Sequence, residues 1–300
     1  MRISIIGSNG LLSDSIGHFY GTPDNYLELY GLAEPKRHAY NEFHRIDLMR
    51  DEFNYPQIKE SDIIIYAVGA GIQSNMYEPP DVIYNLNVHI PIKVCCFLKS
   101  IDYSGVFVTF GSYFEIGENN EDKSYTEEDI LFSMNKVVND YSISKRLLTR
   151  FSSSFSSSFK IWHLILPTIY GENESKHRLI PSTLKALDNN LNIRFTSGEQ
   201  IRQYIYVGEI PVIINLAVEK KLPHGIYNIM GNETLSVKDL VSILFDCNKK
   251  KLPESVFGGE SRADTGMKML KLDGNKLQKI VDYTPAHKII DVYDKYQSLD

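Results

Sequence analysis

Short apolar runs alternate with stretches of helical periodicity through the first half of the chain. Four of these runs predict strands, at Arg2–Ile6, Asp62–Gly71, Gly105–Ser112 and Lys160–Pro167. The run that begins at Asp62 is apolar on both faces, as a central strand of a parallel sheet must be. Asn87–Ser100 has the longer pattern of a helix. Strands that alternate with helices predict an α/β fold, in which a doubly wound parallel sheet carries helices on both faces.

The first predicted strand leads directly into Gly7-Ser-Asn-Gly10-Leu-Leu-Ser13, and a helix follows through about Tyr20. In this setting Gly7 permits a tight turn. Gly10 lets the backbone approach a pyrophosphate, which then faces the positive end of the helix dipole. Ser13 stands where a third glycine is usual, and it is small enough to keep helix and strand close. The alternative is an ordinary turn between a strand and a helix.

The next strand is predicted at Asn25–Tyr30, and no acidic residue stands at its end. A cofactor with a free ribose 2′-hydroxyl usually meets an acid there. The missing acid, with Lys36 and Arg37 just beyond, favours a 2′-phosphate and therefore NADP over NAD, although basic loop residues are usually just solvated. Asp47 follows another short strand, where it can accept from an adenine amino group or simply cap a helix.

Tyr141 and Lys145 lie four residues apart in a stretch whose apolar stripe, Ile143, Leu147 and Leu148, predicts a helix. Residues at this spacing share one helix face. An ammonium beside a phenol stabilises the phenolate and lowers the phenol pKa, which makes a tyrosine fit for proton transfer. A solvated helix face is the alternative interpretation of this spacing.

Ser112 ends a predicted buried strand. Catalytic groups of an open parallel sheet lie just outside the carboxyl ends of its strands. We therefore expect Ser112 to be well placed for chemistry.

Composition narrows the class of protein. The 300 residues are 43% hydrophobic and 23% charged, with a formal net charge of −6, which gives no basic footprint for nucleic acid. No apolar run approaches the roughly 20 residues that cross a membrane, and the N-terminal run is too short for a signal peptide. Cys95, Cys96 and Cys247 lack metal-ligand spacing, so we expect no metal site and buried thiols in a reducing, cytoplasmic setting.

Taken in order, several separated segments resemble the extended short-chain dehydrogenase/reductase family, the NAD(P)-dependent epimerase/dehydratase group that acts on nucleotide sugars. The resemblance covers nearly the whole chain and rests on Gly7-x-x-Gly10-x-x-Ser13, Asp47-Leu48, Tyr66-Ala67, Asn87-Val88, Ser112 with Gly117, Tyr141-x-x-x-Lys145, Pro167-Thr-Ile-Tyr-Gly171, Arg202-Gln-Tyr-Ile-Tyr-Val-Gly208, Arg262 with Asp264, and Asp273 to Lys276. The ordered set favours the catalytic interpretation of Tyr141 and Lys145.

The resemblance implies roles for these residues. Tyr141 is the general acid/base, Lys145 binds the nicotinamide ribose and lowers the tyrosine pKa, and Ser112 hydrogen-bonds the substrate oxygen. Hydride passes between the nicotinamide and a sugar carbon, commonly C4. The implied cofactor contacts are Gly7, Asn9, Gly10, Leu11, Leu12, Lys36, Arg37, Asp47, Leu48, Ala67, Val68, Gly69, Asn87, Tyr141, Lys145 and Pro167. The implied substrate contacts are Ser112, Tyr113, Thr168, Arg202 and Arg262, the arginines because a diphosphate needs donors.

Departures from the family pattern narrow the reaction. Members that dehydrate hexoses carry an Asp-Glu pair directly after the catalytic Ser or Thr, where this chain has Tyr113 and Phe114. Glu115 comes one place later, and strand-like alternation is expected to turn it away. Reduction of a ketosugar or epimerisation remains. The segment before Arg202 is most similar to 4-ketoreductases that make deoxysugars for bacterial surface polysaccharide, such as O-antigen lipopolysaccharide. Thr168 replaces the usual Asn.

We predict an NADP-binding Rossmann domain at residues 1–170, to which 198–218 returns, and a smaller mixed α/β lobe at 171–300 that binds the nucleoside-diphosphate sugar. In that lobe Gly208-Glu209 replaces an Asp-Asp pair, and Arg178 and His177 are expected at the surface. Ser236 is predicted to cap a helix that carries no chemistry. The family resemblance also implies a homodimer. The favoured function is an NADP-dependent reductase; an epimerase that holds NAD and a non-catalytic dinucleotide sensor are the alternatives.

Overall fold

The computed structural model describes residues 1–72, 77–260 and 262–297. The strands in this part of the chain are β1 (Arg2–Ile6), β2 (Tyr26–Gly31), β3 (Glu42–Arg45), β4 (Ile63–Tyr66), β5 (Val106–Ser112), β6 (Lys160–Leu166), β7 (Thr168–Tyr170), β8 (Ile201–Tyr206), β9 (Gly225–Asn228), β10 (Glu233–Ser236) and β11 (Met269–Leu270). The helices are α1 (Leu11–Tyr20), α2 (Pro80–Tyr84), α3 (Ile90–Ser100), α4 (Glu127–Leu131), α5 (Asp140–Ser154), α6 (Leu179–Asp188), α7 (Glu209–Glu219), α8 (Val237–Cys247), α9 (Asn275–Val281) and α10 (Ile289–Gln297).

The larger sheet has seven strands in the order β3-β2-β1-β4-β5-β6-β9, and every neighbouring pair is parallel. The predicted doubly wound α/β fold is therefore confirmed. Its last strand, β9, lies within residues 171–300, the range predicted for the C-terminal lobe.

A smaller mixed sheet is built around β8, which pairs with β10 antiparallel and with β7 and β11 in parallel. Residues 198–218 are predicted to return to the Rossmann domain. Their strand, β8, lies in the smaller sheet. The helix that follows it, α7, packs Ile210, Ile213 and Ile214 into the core of the larger sheet. The predicted division at residue 170 stays a prediction.

Alternation along the buried strands fills both faces of the larger sheet. Ile63 and Ile65 belong to one hydrophobic cluster and Ile64 to the other, as expected where successive side chains point to opposite faces. A third cluster lies between α6, α8 and the smaller sheet. Helices therefore cover both faces of β1, β4 and β5, and the carboxyl ends of these strands are left for ligands.

One continuous helical stretch follows β4. It runs from α2 through a π-helical segment, Asn85–His89, into α3, so it begins earlier than the predicted Asn87. The predicted cap of α8 is confirmed, since the Ser236 hydroxyl accepts from the backbone of Asp239 at 3.0 Å. In the described ranges no helix is both long and apolar enough to cross a membrane.

Candidate active site

The glycine turn lies at the carboxyl end of β1, beside the end of β4. Gly7 has φ 105°, and a Cβ there would stand 2.9 Å from Val68 Cγ2 and 3.2 Å from the Ala67 carbonyl carbon. A larger residue would push the two strand ends apart. Ser13 Oγ accepts from the Gly10 N–H at 2.8 Å and donates to its carbonyl at 3.0 Å. Ser13 thus closes the first turn of α1 in the place of the third glycine.

These residues fit a dinucleotide. The first-turn N–H groups of a helix have no intrahelical acceptor, and in α1 they belong to the predicted contacts Leu11 and Leu12. A Cβ on Gly10 would meet only Ser13 Oγ, at 3.5 Å. The protein's own packing therefore does not require glycine here, whereas close approach of a pyrophosphate does.

Asn87 links the loop after β4 to helix α5. Its side-chain amide accepts from the N–H of Ala70 at 2.9 Å and donates to the Ala70 carbonyl at 2.9 Å. It also donates to Ser144 Oγ on α5 at 2.9 Å. The loop that begins with Ala67, Val68 and Gly69 is thereby fixed against the helix that carries Tyr141 and Lys145.

Ser112, Tyr141 and Lys145 come together at the carboxyl end of β5. Lys145 Nζ lies 5.7 Å from the centre of the Tyr141 ring and donates to the carbonyl of Phe110 at 2.9 Å. A hydrogen bond from the Ser112 side chain favours the ionised form of Tyr141. The predicted shared face of Tyr141 and Lys145 is what the structure has, and the three roles stay predictions.

The expected lowering of the tyrosine pKa is not found. Burial raises the pKa of Tyr141 to about 12, and it outweighs the hydrogen bond from Ser112. Burial also lowers the pKa of Lys145 to about 8, against the attraction of Glu115. Sequence spacing indicates which groups meet but not how deeply they are buried. A phenol in this state is protonated at neutral pH, which suits a proton donor.

The segment after β5 differs from its prediction. Tyr113–Ile116 forms a 3-10 turn capped by Ser112, not an extended strand. Glu115 consequently folds back, and its carboxylate accepts from the Ser112 N–H at 2.7 Å. The extended, strand-like conformation expected for this segment was wrong, because strand alternation ends at Ser112. Tyr113 is buried and its hydroxyl hydrogen-bonds that of Thr168, so two departures from the family pattern contact each other.

The end of β2 presents no carboxylate for a ribose. Glu28 is fully buried and accepts from Arg2 and Tyr30, and Glu34 accepts from the Tyr40 hydroxyl at 2.9 Å. Lys36 and Arg37 follow on an exposed loop. Arg37 reaches back to Asp14 in the first turn of α1 at 3.7 Å, which directs this loop toward the glycine turn. Asn9 also contacts it, by donating to the Ala33 carbonyl at 2.8 Å.

Asp47 caps a turn. Its carboxylate accepts from the Met49 N–H at 3.0 Å and pairs with Arg50 at 3.5 Å, which corresponds to the capping alternative for this residue. Leu48 packs on the core of the larger sheet, and Pro167 is buried between β6 and β7. Their predicted cofactor contacts stay predictions.

Arg202 and Arg262 converge on one carboxylate. Arg202 Nη2 and Arg262 Nε each lie 3.2 Å from an oxygen of Asp264, and the two guanidinium groups lower the Asp264 pKa against the effect of burial. Two positive charges on one negative charge leave a net positive site. The motifs identified both arginines as candidate substrate contacts. That Asp264 pairs with both of them depends on the turn in which it lies.

Arg178 is half-buried, and so is less exposed than expected, whereas His177 is exposed. Arg178 pairs with the buried Glu174 at 3.0 Å, and its charge acts on both Tyr113 and Tyr141. Arg178 also donates to the Ile169 carbonyl at 2.7 Å, which holds it against β7, next to Thr168. Glu174 precedes α6 and Arg178 is the extended N-cap of that helix, so helical spacing does not predict their pairing, which depends on the turn before α6.

Comparison with known proteins places the chain in a family. The model for the NAD dependent epimerase/dehydratase family matches residues 20–229, more than half of the chain. The chain therefore belongs to this family and is one of its enzymes. The resemblance read from the motifs is thereby confirmed at the level of the family.

Two characterised relatives narrow the comparison. CDP-abequose synthase from Yersinia pseudotuberculosis is 24% identical over 289 residues, which cover 89% of this chain and 91% of that protein. The dTDP-4-dehydro-6-deoxyglucose reductase of Escherichia coli is 24% identical over 211 residues, which cover 67% of this chain and 63% of that protein.

Solved structures share the fold. UDP-glucose 4-epimerase from Thermus thermophilus, in complex with NAD, superposes with a TM-score of 0.83 at 16% identity. The superposition covers 100% of this chain and 99% of the epimerase chain. The dTDP-glucose 4,6-dehydratase of Bacillus anthracis, also with NAD, has a TM-score of 0.80 at 14% identity and covers 100% and 97%. At these identities the likeness shows the fold alone.

Proposed function

We propose that this enzyme is an NADP-dependent reductase of a nucleoside-diphosphate 4-keto-6-deoxyhexose, acting in deoxysugar and surface polysaccharide biosynthesis. The observation that carries the proposal is the meeting of Ser112, Tyr141 and Lys145 at the carboxyl end of β5, beside the glycine turn. The relative that covers nine-tenths of the chain, CDP-abequose synthase, supports the substrate class.

Each side chain has one task in this reaction. NADPH, when bound, supplies the hydride for the C4 carbonyl carbon. Ser112 holds the carbonyl oxygen by a hydrogen bond, and Tyr141 gives that oxygen its proton. Lys145 holds the nicotinamide ribose beside the tyrosine. The raised pKa of Tyr141, about 12 because of burial, keeps its proton in place until the carbonyl oxygen becomes basic.

Reduction is favoured over dehydration by the residues that follow Ser112. Elimination of water needs an acid and a base at this place. Phe114 can be neither, and Tyr113, which is protonated at neutral pH, cannot be the base. Burial raises the pKa of Tyr113, and its hydroxyl is engaged by Thr168. Glu115 is directed to the backbone of Ser112 and does not replace the missing pair.

NADP is favoured over NAD by the charges after β2. Glu28 and Glu34, the two carboxylates near the strand end, are both held by other side chains. Lys36 and Arg37 supply positive charge on the adjoining exposed loop. A 2′-phosphate is therefore matched in charge by Lys36 and Arg37, whereas β2 ends at Gly31 without a carboxylate that could accept from a free 2′-hydroxyl.

The diphosphate of the sugar nucleotide is assigned to Arg202 and Arg262, with Arg178 on the side of the catalytic tyrosine. These groups supply planar, charged donors of the kind that phosphate oxygens prefer. The charges of Arg202 and Arg178 act on Tyr113, and that of Arg178 also acts on Tyr141, which supports a substrate that spans from the arginines to the catalytic residues.

The test mixes the protein with NADPH and a panel of dTDP-, CDP- and GDP-linked 4-keto-6-deoxyhexoses, and it follows both NADPH absorbance and sugar identity. A reductase consumes one NADPH for each alcohol formed. Conversion of a sugar without loss of NADPH indicates an epimerase and overturns the proposal. Binding of NADP in calorimetry without any conversion indicates a sensor and also overturns it.

The proposal includes a homodimer. Ile143 and Leu147 lie one turn apart on the outer face of α5 and are 39% and 47% exposed, and adjacent exposed apolar side chains on a helix favour association. Sedimentation equilibrium of the protein is expected to give twice the chain mass, 34.3 kDa for each chain. A single-chain mass at assay concentrations contradicts this part of the proposal.

A further inference from the structure

A buried chain of hydrogen bonds lies behind the candidate active site. Glu115 accepts from the Ser112 N–H at 2.7 Å and from the Thr149 hydroxyl at 2.6 Å. The same hydroxyl lies 2.8 Å from His163 Nε2, and His163 Nδ1 lies 2.8 Å from Thr109 Oγ1. All five residues are buried. Polar groups are costly to bury without hydrogen-bond partners, and here each buried side chain is the partner of the next one in the hydrogen-bonded series.

Gly111 of β5 leaves room for these hydrogen-bonded side chains. A Cβ on Gly111 would lie 2.7 Å from Glu115 Oε1 and 2.7 Å from His163 Nε2. Any larger residue would displace both polar groups. The absence of a side chain at Gly111 therefore makes the space in which the carboxylate and the imidazole sit.

The buried positive charge of Lys145 is a second feature that involves Glu115. The Lys145 ammonium is buried and donates to a neutral carbonyl, that of Phe110. A buried ammonium is stable only with compensating negative charge. Thr149 follows Lys145 by one helical turn and so lies on the same face of α5, where it contacts Glu115. Glu115 is the group whose charge favours the protonated form of Lys145.

The ionisable groups that surround Glu115 come from two elements. They are Tyr141, Lys145 and Arg146 on α5 and His163 on β6. The short helix α4 also packs against this turn, but its Glu127 accepts from the backbone of Asn228 and its Asp129 from the backbone of Thr126. Burial raises the pKa of Glu115 to about 7, against hydrogen bonds and the charge of Lys145, so both charge states of Glu115 are accessible near neutrality.

The chain of hydrogen bonds is complete in either charge state. With Glu115 ionised, Thr149 donates to it, His163 donates from Nε2 to Thr149, and Thr109 donates to Nδ1. With Glu115 protonated, every bond from Glu115 to Thr109 can reverse, and His163 then carries its proton on Nδ1. Burial lowers the pKa of His163 to about 3, so the ring is neutral in both arrangements.

We propose that Glu115 is a positioning residue for the Ser112–Tyr141–Lys145 site: it is the buried counter-charge of Lys145, and its charge state sets the tautomer of His163 through Thr149. The catalytic consequence, a lysine kept charged for the nicotinamide ribose, rests on the proposed function. The counter-charge and the tautomer do not, because both are properties of the protein without ligands.

The test uses NMR of the full chain labelled with 13C-lysine and 15N-histidine. In the wild-type protein, the 15N shifts of His163 are expected to change from the Nδ1–H to the Nε2–H form as pH rises through neutrality. In Glu115→Gln the amide oxygen accepts from the Ser112 N–H, as the carboxylate does, and the NH2 group is left to donate to Thr149. His163 is therefore expected to keep the Nδ1–H form at every pH. The 13Cε titration midpoint of Lys145, assigned by its loss in Lys145→Arg, is expected to fall by about one pH unit or more.

Glu118→Gln, which alters a half-buried carboxylate three residues away that pairs with Lys136 at 3.6 Å, is the matched control and is expected to change neither signal. An unchanged Lys145 midpoint in folded Glu115→Gln overturns the proposal. If that variant does not fold, the wild-type titration decides, since a single His163 tautomer across the neutral range is equally contrary to it. Failure of every ketosugar assay removes the proposed reaction but leaves these two readouts valid.

Discussion

Tyr141 is the residue on which the proposed chemistry depends. Replacing it with Phe removes the proton donor but keeps the ring, so we expect turnover to fall by roughly a hundredfold or more with cofactor affinity nearly unchanged. Steady-state kinetics and calorimetry with NADPH measure the two effects. Tyr26→Phe, which loses only an exposed hydrogen bond to Glu42, is the control. An unaltered rate in Tyr141→Phe would show that the acid lies elsewhere.

At the residue scale, spacing predicted which groups meet, but not their environment. The four-residue interval placed Tyr141 and Lys145 on one helix face, because helix geometry is local. The tyrosine pKa could not be predicted in this way, since burial depends on the packing of distant segments. Glu115 was missed for a related reason: whether strand alternation continues past Ser112 depends on the Ser112 cap, which favours a turn over extension.

At the scale of single elements, the loop after β2 is expected to set cofactor preference. Lys36→Ala combined with Arg37→Ala removes two positive charges, and we expect the dissociation constant for NADPH to rise about tenfold or more. Affinity for NADH is expected to change little, because it lacks the 2′-phosphate. Calorimetry with both cofactors measures the ratio, and Lys59→Ala, an exposed lysine before β4, is the control. Equal losses for NADPH and NADH would exclude a role in phosphate recognition.

Glu209, in the first turn of α7, is hydrogen-bonded to the segment that precedes α10. Glu209 accepts from the N–H groups of Ala286 and His287 at 3.0 and 3.1 Å, from His287 Nδ1 at 2.6 Å, and from the Tyr283 hydroxyl. Burial favours the neutral acid, but these donors outweigh it and lower the Glu209 pKa. The replacement of the family's Asp-Asp pair by Gly208-Glu209 therefore has a structural explanation at Glu209.

A carboxylate with a lowered folded-state pKa stabilises the protein above its ordinary pKa, about 4.3 for Glu, and this contribution is lost as pH falls through the folded value. We therefore expect Glu209→Gln to lower the free energy of unfolding by about 2 kcal/mol at neutral pH. The difference from wild type is expected to narrow below about pH 4. Urea unfolding at both pH values measures it, with the exposed Glu219→Gln on the same helix as control. A deficit that is constant with pH would contradict the charge assignment.

At the scale of the whole molecule, most strands of the larger sheet were predictable one by one, whereas the smaller sheet was predictable only as part of a mixed α/β lobe and not strand by strand. Apolar runs such as Asp62–Gly71 identify buried parallel strands without knowledge of their partners. The strands of the smaller sheet are as short as β11, which has two residues, and acquire meaning only by pairing with β8. The smaller lobe, where Arg202 and Arg262 converge and where we propose that the substrate binds, therefore depends on long-range contacts that local pattern does not encode.

The C-terminal helix closes this lobe onto the candidate site, and one hydroxyl links the two. Tyr296 accepts from the Gly171 N–H at 2.8 Å and donates to Glu174 at 2.5 Å, and Glu174 in turn pairs with Arg178. In Tyr296→Phe the Gly171 amide and Glu174 each lose a partner, and the turn that carries Arg178 is freed. We expect the KM for the sugar nucleotide to rise about tenfold, a cost of between one and two kcal/mol. Cofactor affinity is expected to be unchanged, because the glycine turn belongs to the larger sheet.

Ile290→Ala is the matched control for this last variant, since Ile290 lies on the same helix and is 58% exposed. Initial rates at saturating NADPH, with the sugar nucleotide varied, separate KM from kcat. A fall in kcat with KM unchanged would mean that Tyr296 acts on the catalytic residues and not on the diphosphate. An unchanged KM and kcat would mean that Arg178 is held without Tyr296, and that the C-terminal helix stabilises the lobe without shaping the substrate site.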